Sequence, residues 1–435
     1  MFINYEVLID FMTILTSVMI VFVLFMSIYY LIFWNISARK IKPVPHSDKF
    51  TNFAILVAAR NESKVISHIL ESLQKQTYPR EHFEVYVIVE KTSDPTVEIV
   101  EQYGFKTFVR DRLMDGRRTK GFALQECIDY LWKNELNYDA YMIFDADNIL
   151  DSDYIEKMND LRQTGVRVGL GYRNFTNANT NWLTVGSSIM FTYMNEVTSK
   201  GRTLLFHKTT LMGTGYYVDD KIIRDVGGWI FTGMTEDIQL TSYCYYHDIY
   251  MSYYPLICFY DEQSPDYKTV HTQHVRWLFG YFERRKFLKI AGVQHDYHPK
   301  QMQKFMNFEF SSGLIPFVIF NVVMMLSGII DIAFGAIAAA THSSTYNIAF
   351  LFALGGFQLL LVYLSFVIPA LITIIRDDGT LNLTKKNKFI GVLTYIFFFY
   401  DFVLAFLDGL FHPNKTKSWT KIKHTGEVTN TNIKK

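Results

Sequence analysis

Carboxylates stand at three places where short apolar runs come to an end. FAILVAA runs into R-N-E with Glu62, FEVYVIV into E-K-T-S-D with Glu90 and Asp94, and YMIF into D-A-D with Asp145 and Asp147. Acids gathered at strand ends repel one another, and a metal or polar ligand offsets that repulsion. Two carboxylates separated by one residue share a face of a strand, and oxygen donors of this kind suit Mg²⁺ or Mn²⁺ taken up with a diphosphate. Farther on, RRTKGFALQ puts Lys120 at the head of an apolar helix, either as a basic loop or as a cation near phosphates. LMGTGYYV holds Gly213, Thr214 and Gly215, an ordinary turn or a close backbone approach to a ligand. GMTEDIQL sets Glu236 and Asp237 at a helix start, where a carboxylate either caps the helix or acts as a general base. Last comes HTQHVRWLFGYFERRKFLK, with Gln273, Arg276 and Trp277 ahead of aromatics interleaved with Arg284, Arg285, Lys286 and Lys289.

The elements that must position these residues alternate. NESKVISHILESLQKQ, between the first two apolar runs, has helical spacing, so strand, helix and strand follow one another. That order predicts an α/β domain with a parallel sheet covered by helices over 50–270. In such sheets ligands gather at the carboxyl ends of the strands, where the acids lie.

Of 435 residues, 49% are hydrophobic and 16% aromatic, with 37 Phe and 28 Tyr. The excess is concentrated in four stretches, roughly 8–34, 313–340, 348–375 and 389–411, each long enough to cross a bilayer. Arg39, Lys40, Lys42 and Lys49 follow the first stretch, so the positive-inside rule puts 50–270 in the cytosol. Four crossings would leave the tail outside, yet the tail over 412–435 is strongly basic and favours the cytosol. Asp401 and Asp408 within the last stretch mark it as re-entrant or cavity-lining, because carboxylates are costly in lipid. The expected organisation is a span and linker over 1–49, the α/β domain over 50–270, interfacial helices over 271–312, membrane helices over 313–411 and the tail. The basic residues of 278–290 are expected to face headgroups, and His295 and His298 to be solvated. A net charge of +1 argues against nucleic acid as a partner. Cys127, Cys244 and Cys258 lack metal-type spacing and fit a reducing compartment.

The order of these signals resembles the membrane-embedded family 2 glycosyltransferases, the processive cellulose, hyaluronan, chitin and poly-N-acetylglucosamine synthases. The resemblance implies a Rossmann-like nucleotide-sugar-binding domain of GT-A type inserted between transmembrane helices. It implies inverting transfer from a nucleotide-sugar donor, a UDP-sugar, to a growing β-linked polysaccharide exported at the cell membrane. Asp237 would be the catalytic base. Glu62, Glu90, Lys120, Asp145, Gln273 and Arg276 would contact the donor, and Glu90 stands where the family usually has Asp. Gly213, Thr214, Gly215, Glu236 and Trp277 would border the acceptor. Asp147, with Asp145, would hold Mg²⁺ or Mn²⁺. SWTKIKHT, with Trp419, His424 and Thr425, resembles a segment that closes over the nucleotide in some synthases. Two alternatives stand beside this: transfer of one sugar to a membrane lipid, and a non-catalytic scaffold or receptor, which the intact Asp145, Asp147 and Asp237 disfavour. The implied partners are the donor, a glycan or lipid acceptor and membrane lipids.

Overall fold

The computed structural model describes residues 5–90, 94–110, 119–290, 314–340, 348–376 and 380–412, with 424, 426, 428 and 430. His295, His298, Trp419, Thr425 and the 341–347 link lie outside the described residues. The chain enters through a helix, α1 (Tyr5–Ser37), and then builds β1 (Phe53–Ala59), α2 (Ile66–Gln74), β2 (Phe83–Glu90), α3 (Thr96–Gln102), β3 (Lys106–Arg110), α4 (Lys120–Lys133), β4 (Ala140–Asp145), β5 (Ile149–Leu150), α5 (Tyr154–Gln163) and β6 (Val168–Phe175). There follow α6 (Trp182–Met194), a π-helical turn over Asn195–Gly201, α7 (Arg202–Phe206), β7 (Tyr216–Asp219), α8 (Asp220–Asp225), α9 (Glu236–Tyr246) and β8 (Met251–Asp261). The last helices are α10 (Tyr267–Ile290), α11 (Leu314–Ala340), α12 (Ile348–Arg376) and α13 (Lys385–Phe411).

The strands form one sheet in the order β3-β2-β1-β4-β7-β6-β8-β5. The first four are mutually parallel, as the strand–helix alternation predicts, whereas β7 runs antiparallel to β4 and β6. The sheet is therefore mixed rather than wholly parallel. Strand β1 lies between β2 and β4 and buries Ile55, Leu56 and Val57 completely, which is why its sequence shows no alternation. Strand order reverses beside β1, and the register pairs Ala58 with Asp145 and Ala59 with Val89. This puts the acidic strand ends side by side at the switch point, where an open sheet leaves a crevice.

Four helices are long and apolar enough to cross a membrane, over Thr13–Ser37, Phe320–Ala340, Ile348–Arg376 and Lys385–Phe411. The last is a single continuous helix of 27 residues, so the re-entrant expectation is corrected. Its carboxylates are met by partners from α10. The helix α10 also begins earlier than the expected boundary at 271. Its Arg284 does not face headgroups: the residue is 1% exposed, with its guanidinium 4.4 Å from the centre of the Tyr281 ring.

Candidate active site

A cavity of about 430 Å³ opens at the carboxyl edge of β1, β2 and β4. Its floor is made by the strand-end acids. Glu90 closes β2 and is clamped by Arg60 at 2.7 Å and Arg110 at 3.4 Å. The two guanidiniums take one carboxylate oxygen each and fix its orientation in the cavity wall. Asp145 closes β4 and receives Lys120 Nζ at 2.5 Å, and the same ammonium donates to the Gly213 carbonyl at 2.8 Å. Burial opposes the charge on Lys120, but Asp145 and Glu236 more than offset that and raise its pKa. Lys120 reaches this position because Gly121 lets α4 press against the backbone of Phe231, whose carbonyl would lie 2.2 Å from a Cβ there.

Asp147 does not share a strand face with Asp145. The strand stops at Asp145 and Asp147 sits in the turn beyond it, so the same-face argument from the sequence is corrected. The turn nevertheless brings both carboxylates to the cavity wall. Burial pushes Asp147 up to about 7, against the lowering influence of His424. His424 comes from the tail and lies among three acids, 3.3 Å from Glu262, 3.5 Å from Glu62 and 3.8 Å from Asp147. Burial opposes its charge, yet those carboxylates raise its pKa to about 9.

The roof comes from the G-T-G turn, α9 and α10. Gly213 and Gly215 have φ of 86° and 72°, so both need the left-handed freedom of glycine. Only Gly213 of this trio lines the cavity. Thr214 is fully buried, accepting from the Asp145 N–H at 3.0 Å and donating to Asn148. Gly215 packs under Phe259, where a Cβ would lie 2.1 Å from the ring. The expected acceptor contacts of Thr214 and Gly215 are therefore replaced by a role in shaping the turn.

Glu236 and Asp237 open α9, and Thr235 before them makes no side-chain cap. Both acids are buried and line the cavity. Burial pushes Asp237 up to about 6 and Glu236 up to about 8, with Lys120 pulling both back. Gln273, Arg276 and Trp277 enter from α10 and line the same cavity. Burial lowers the pKa of Arg276, partly offset by Glu236, Asp145 and Asp237. Its Nε–H has no hydrogen-bond partner among the described residues. Trp277 stands edge-on to Phe191 with ring centres 5.9 Å apart, so it also packs.

One part of the wall escaped the sequence reading. Arg173 on β6 is buried, pairs with Asp261 and donates to the Met212 carbonyl at 2.8 Å. Asp261 closes β8, and it lines the cavity with Glu262 and Gln263 beyond it. The signal was present, since β8 ends in D-E-Q just as the other strands end in acids, but Pro255 inside its apolar run disguised the strand.

The sequence matches the family described as Glycosyltransferase like family 2 over residues 51–280, more than half of the chain. It is 26% identical over 236 residues to the probable glycosyltransferase YdaM of Bacillus subtilis, covering 52% of this chain and 54% of that protein. It is 28% identical over 238 residues to the beta-monoglucosyldiacylglycerol synthase of Trichormus variabilis, covering 53% and 49%. It is 25% identical over 275 residues to the poly-beta-1,6-N-acetyl-D-glucosamine synthase of Staphylococcus epidermidis, covering 60% and 64%. The chain thus spans about half to two thirds of the length of these relatives. Its fold is similar to that of the mannosyltransferase PcManGT from Pyrobaculum calidifontis, solved with GDP-Man and Mn²⁺, at a TM-score of 0.57 and 14% identity, covering 91% of this chain and 97% of that one. A mixed sheet of GT-A type with an acid-lined crevice at its switch point and a family match across the whole α/β domain lead to one conclusion: the chain belongs to the glycosyltransferase-like family 2.

Proposed function

We propose that this enzyme transfers a sugar with inversion from a nucleotide-diphosphate sugar, a UDP-sugar, to an acceptor hydroxyl at the membrane face. The observation that carries the reading is the presence in one cavity of a buried carboxylate at a helix head, Asp237, and a half-buried guanidinium, Arg276, whose buried Nε–H has no hydrogen-bond partner among the described residues. Asp237 takes the proton of the acceptor hydroxyl. The freed oxygen attacks the anomeric carbon from the side opposite the diphosphate, and the bond to the departing nucleotide breaks with its electron pair. Arg276 and Lys120 stabilise the charge that builds on the diphosphate. Gln273 and Asp145 border the donor, Glu90 faces its nucleoside, and Glu62 closes the same wall through His424. Two relatives are named for β-linked products, which an α-linked donor gives by inversion.

The donor set fits a divalent cation held together with the donor. Among the described residues no three His, Cys, Asp or Glu side chains converge to hold a metal unaided. Asp147 is a half-buried carboxylate with a raised pKa, and His424 beside it is held as an imidazolium by its acidic neighbours and stays outside the donor set. Asp147, Asp145 and the diphosphate oxygens would share Mg²⁺ or Mn²⁺. When bound, the ion neutralises charge on the leaving diphosphate.

The α/β domain is assigned to the cytosol, where Arg39, Lys40, Lys42 and Lys49 are exposed after α1. Three helices cross and α13 lies along the interface, which removes the conflict over the tail. Both ends of α13 reach the domain side: Asn387 donates to the Asn179 carbonyl at 3.0 Å and Asp408 meets His271 at 3.3 Å. Phe389, Leu393, Phe397, Leu404, Leu407 and Phe411 form its exposed apolar face.

The test is nucleotide release by the purified protein with a panel of labelled nucleotide sugars. Release from one donor, lost in Asp237→Asn when acceptor is present, supports the reading. A protein that binds donors and cleaves none of them refutes it.

A further inference from the structure

A second cavity of about 390 Å³ lies between α1, α6, α9, α12 and α13. It adjoins the catalytic one, and Met190, Met194, Thr210, Ile238 and Tyr281 line both. Ile238 directly follows Asp237, so the second cavity begins beside the proposed base. Its wall is apolar along most of its length, with Val23, Leu361, Phe366 and Phe399 facing it.

The cavity also opens sideways. Helices α1 and α12 are joined at two levels: Gln358 donates to Thr16 at 2.8 Å, and Arg376 donates to the Trp34 carbonyl at 2.6 Å. At 1.5 Å of rise per residue, the two ties are about 27 Å apart along α1. Between them the cavity separates the helices. Leu24, Leu31 and Ile368 line it and are still 49%, 42% and 44% exposed. The gap therefore faces the depth at which acyl chains lie in a bilayer.

We propose that this cavity seats the acyl chains of the acceptor, a neutral membrane lipid with a free hydroxyl, and presents that hydroxyl to Asp237. The proposal rests on the glycosyl-transfer reading and names its acceptor class. A growing polysaccharide needs a wall that bonds its hydroxyls. In this cavity most of them would be stripped of water without partners, which opposes binding. A lateral opening also suits an acceptor that arrives from the bilayer rather than one held end-on in a tunnel. Glu236 and Asp237 at the junction disfavour an anionic headgroup, which is why a neutral lipid is preferred over a lipid phosphate. The chemistry is unchanged: the lipid hydroxyl gives its proton to Asp237, its oxygen bonds to the anomeric carbon, and the nucleotide leaves with the electrons of the broken bond. The product is a glycolipid rather than the polymer that the sequence resemblance favours.

The full chain in phosphatidylcholine nanodiscs, with the donor found active, provides the test. Dioleoylglycerol in the disc should become labelled. Dihexanoylglycerol, whose chains are too short to fill the cavity, should be labelled about tenfold less, and water-soluble oligosaccharides should stay unlabelled. Leu24→Trp and Ile368→Trp narrow the opening and should reduce lipid labelling by about tenfold while the donor's Kd holds. A dioleoylglycerol carrying a diazirine on its acyl chain should crosslink to the wild-type chain within 13–37 or 348–376. A high-mass polysaccharide product, transfer by both Trp variants at the wild-type rate, or crosslinks only outside the five helices that border the cavity would overturn the proposal. Failure to cleave any donor would instead count against the glycosyltransferase mechanism itself, and the crosslink does not depend on the variants folding.

Discussion

Asp401 and His274 meet at 2.6 Å where α13 crosses α10. The other oxygen of Asp401 accepts from Tyr267 and contacts His271 Nδ1, each at 2.7 Å, and Asp408 meets His271 from the far side at 3.3 Å. A carboxylate in an apolar helix thus finds its partners on the helix that carries Gln273, Arg276 and Trp277, and it sets the rotation of that helix. Asp401→Asn should cost about 1–3 kcal/mol of stability, because the buried His274 imidazole and the half-buried His271 imidazole lose a charged partner. It should also raise the donor KM and lower kcat together by turning Arg276 off its position. Thermal unfolding and donor kinetics check this, and an unchanged donor KM in a destabilised variant would reduce Asp401 to a packing role.

Asp237→Asn should lower transfer by about 10²–10⁴-fold, the usual worth of a general base. Nucleotide affinity, measured by calorimetry, should stay near the wild-type value. A variant that turns over normally would return Asp237 to service as a first-turn helix acid.

The pH dependence follows from burial. Asp237 works ionised and is pushed up to about 6, so kcat/KM of the free enzyme should fall as pH drops through about 6, well above the ordinary aspartate range. The stability sign is opposite. Between about 4 and 6 the folded state keeps a proton that the unfolded chain releases, so stability decreases as pH rises through that window. At pH 7 Asp237→Asn removes this penalty and should raise Tm by about 2–4 °C. A pH–rate profile and melting curves at pH 5 and 7 test both signs.

Arg276→Lys keeps the charge but loses the planar fork that can hold two phosphate oxygens. Donor cleavage should drop by about tenfold or more. Trp277→Ala should spare nucleotide release and depress transfer, with some loss of Tm from the contact with Phe191. Activity normalised to folded protein separates the two effects. A near-neutral Arg276→Lys would leave Arg276 as a headgroup contact.

Asp147→Ala should abolish metal-dependent nucleotide binding, and EDTA should reproduce that loss in the wild type. Binding rather than turnover is the readout, followed by calorimetry with and without Mn²⁺. Retained affinity under both conditions would make Asp147 a structural acid, held by His424 and the Asn148 amide.

Much of the molecule is written locally. The α/β alternation, the four long apolar stretches and the acids at the ends of β1, β2 and β4 follow from side-chain periodicity and strand-end position, which need no knowledge of distant contacts. Gln273, Arg276 and Trp277 are legible for the same reason, because one helix carries all three. What depended on tertiary contacts was hidden. The antiparallel β7 is set by its neighbours β4 and β6, not by its own four residues. Thr214 turned away from the cavity because Asn148 offered its hydroxyl a buried partner. Arg173 joined the wall only because Asp261, 88 residues away, compensates its charge. His424 reached Glu62, Glu262 and Asp147 from the far end of the chain. Asp401 and Asp408 read as a defect in an apolar helix until α10 supplied Tyr267, His271 and His274. The cavity beside Asp237 could not be read at all, since it is a space between helices and its shape depends on where Thr16 meets Gln358 and Trp34 meets Arg376. Sequence periodicity determined the elements and the acids they carry. Long-range pairing of buried charges and the spacing of membrane helices decided which of those groups face the same space.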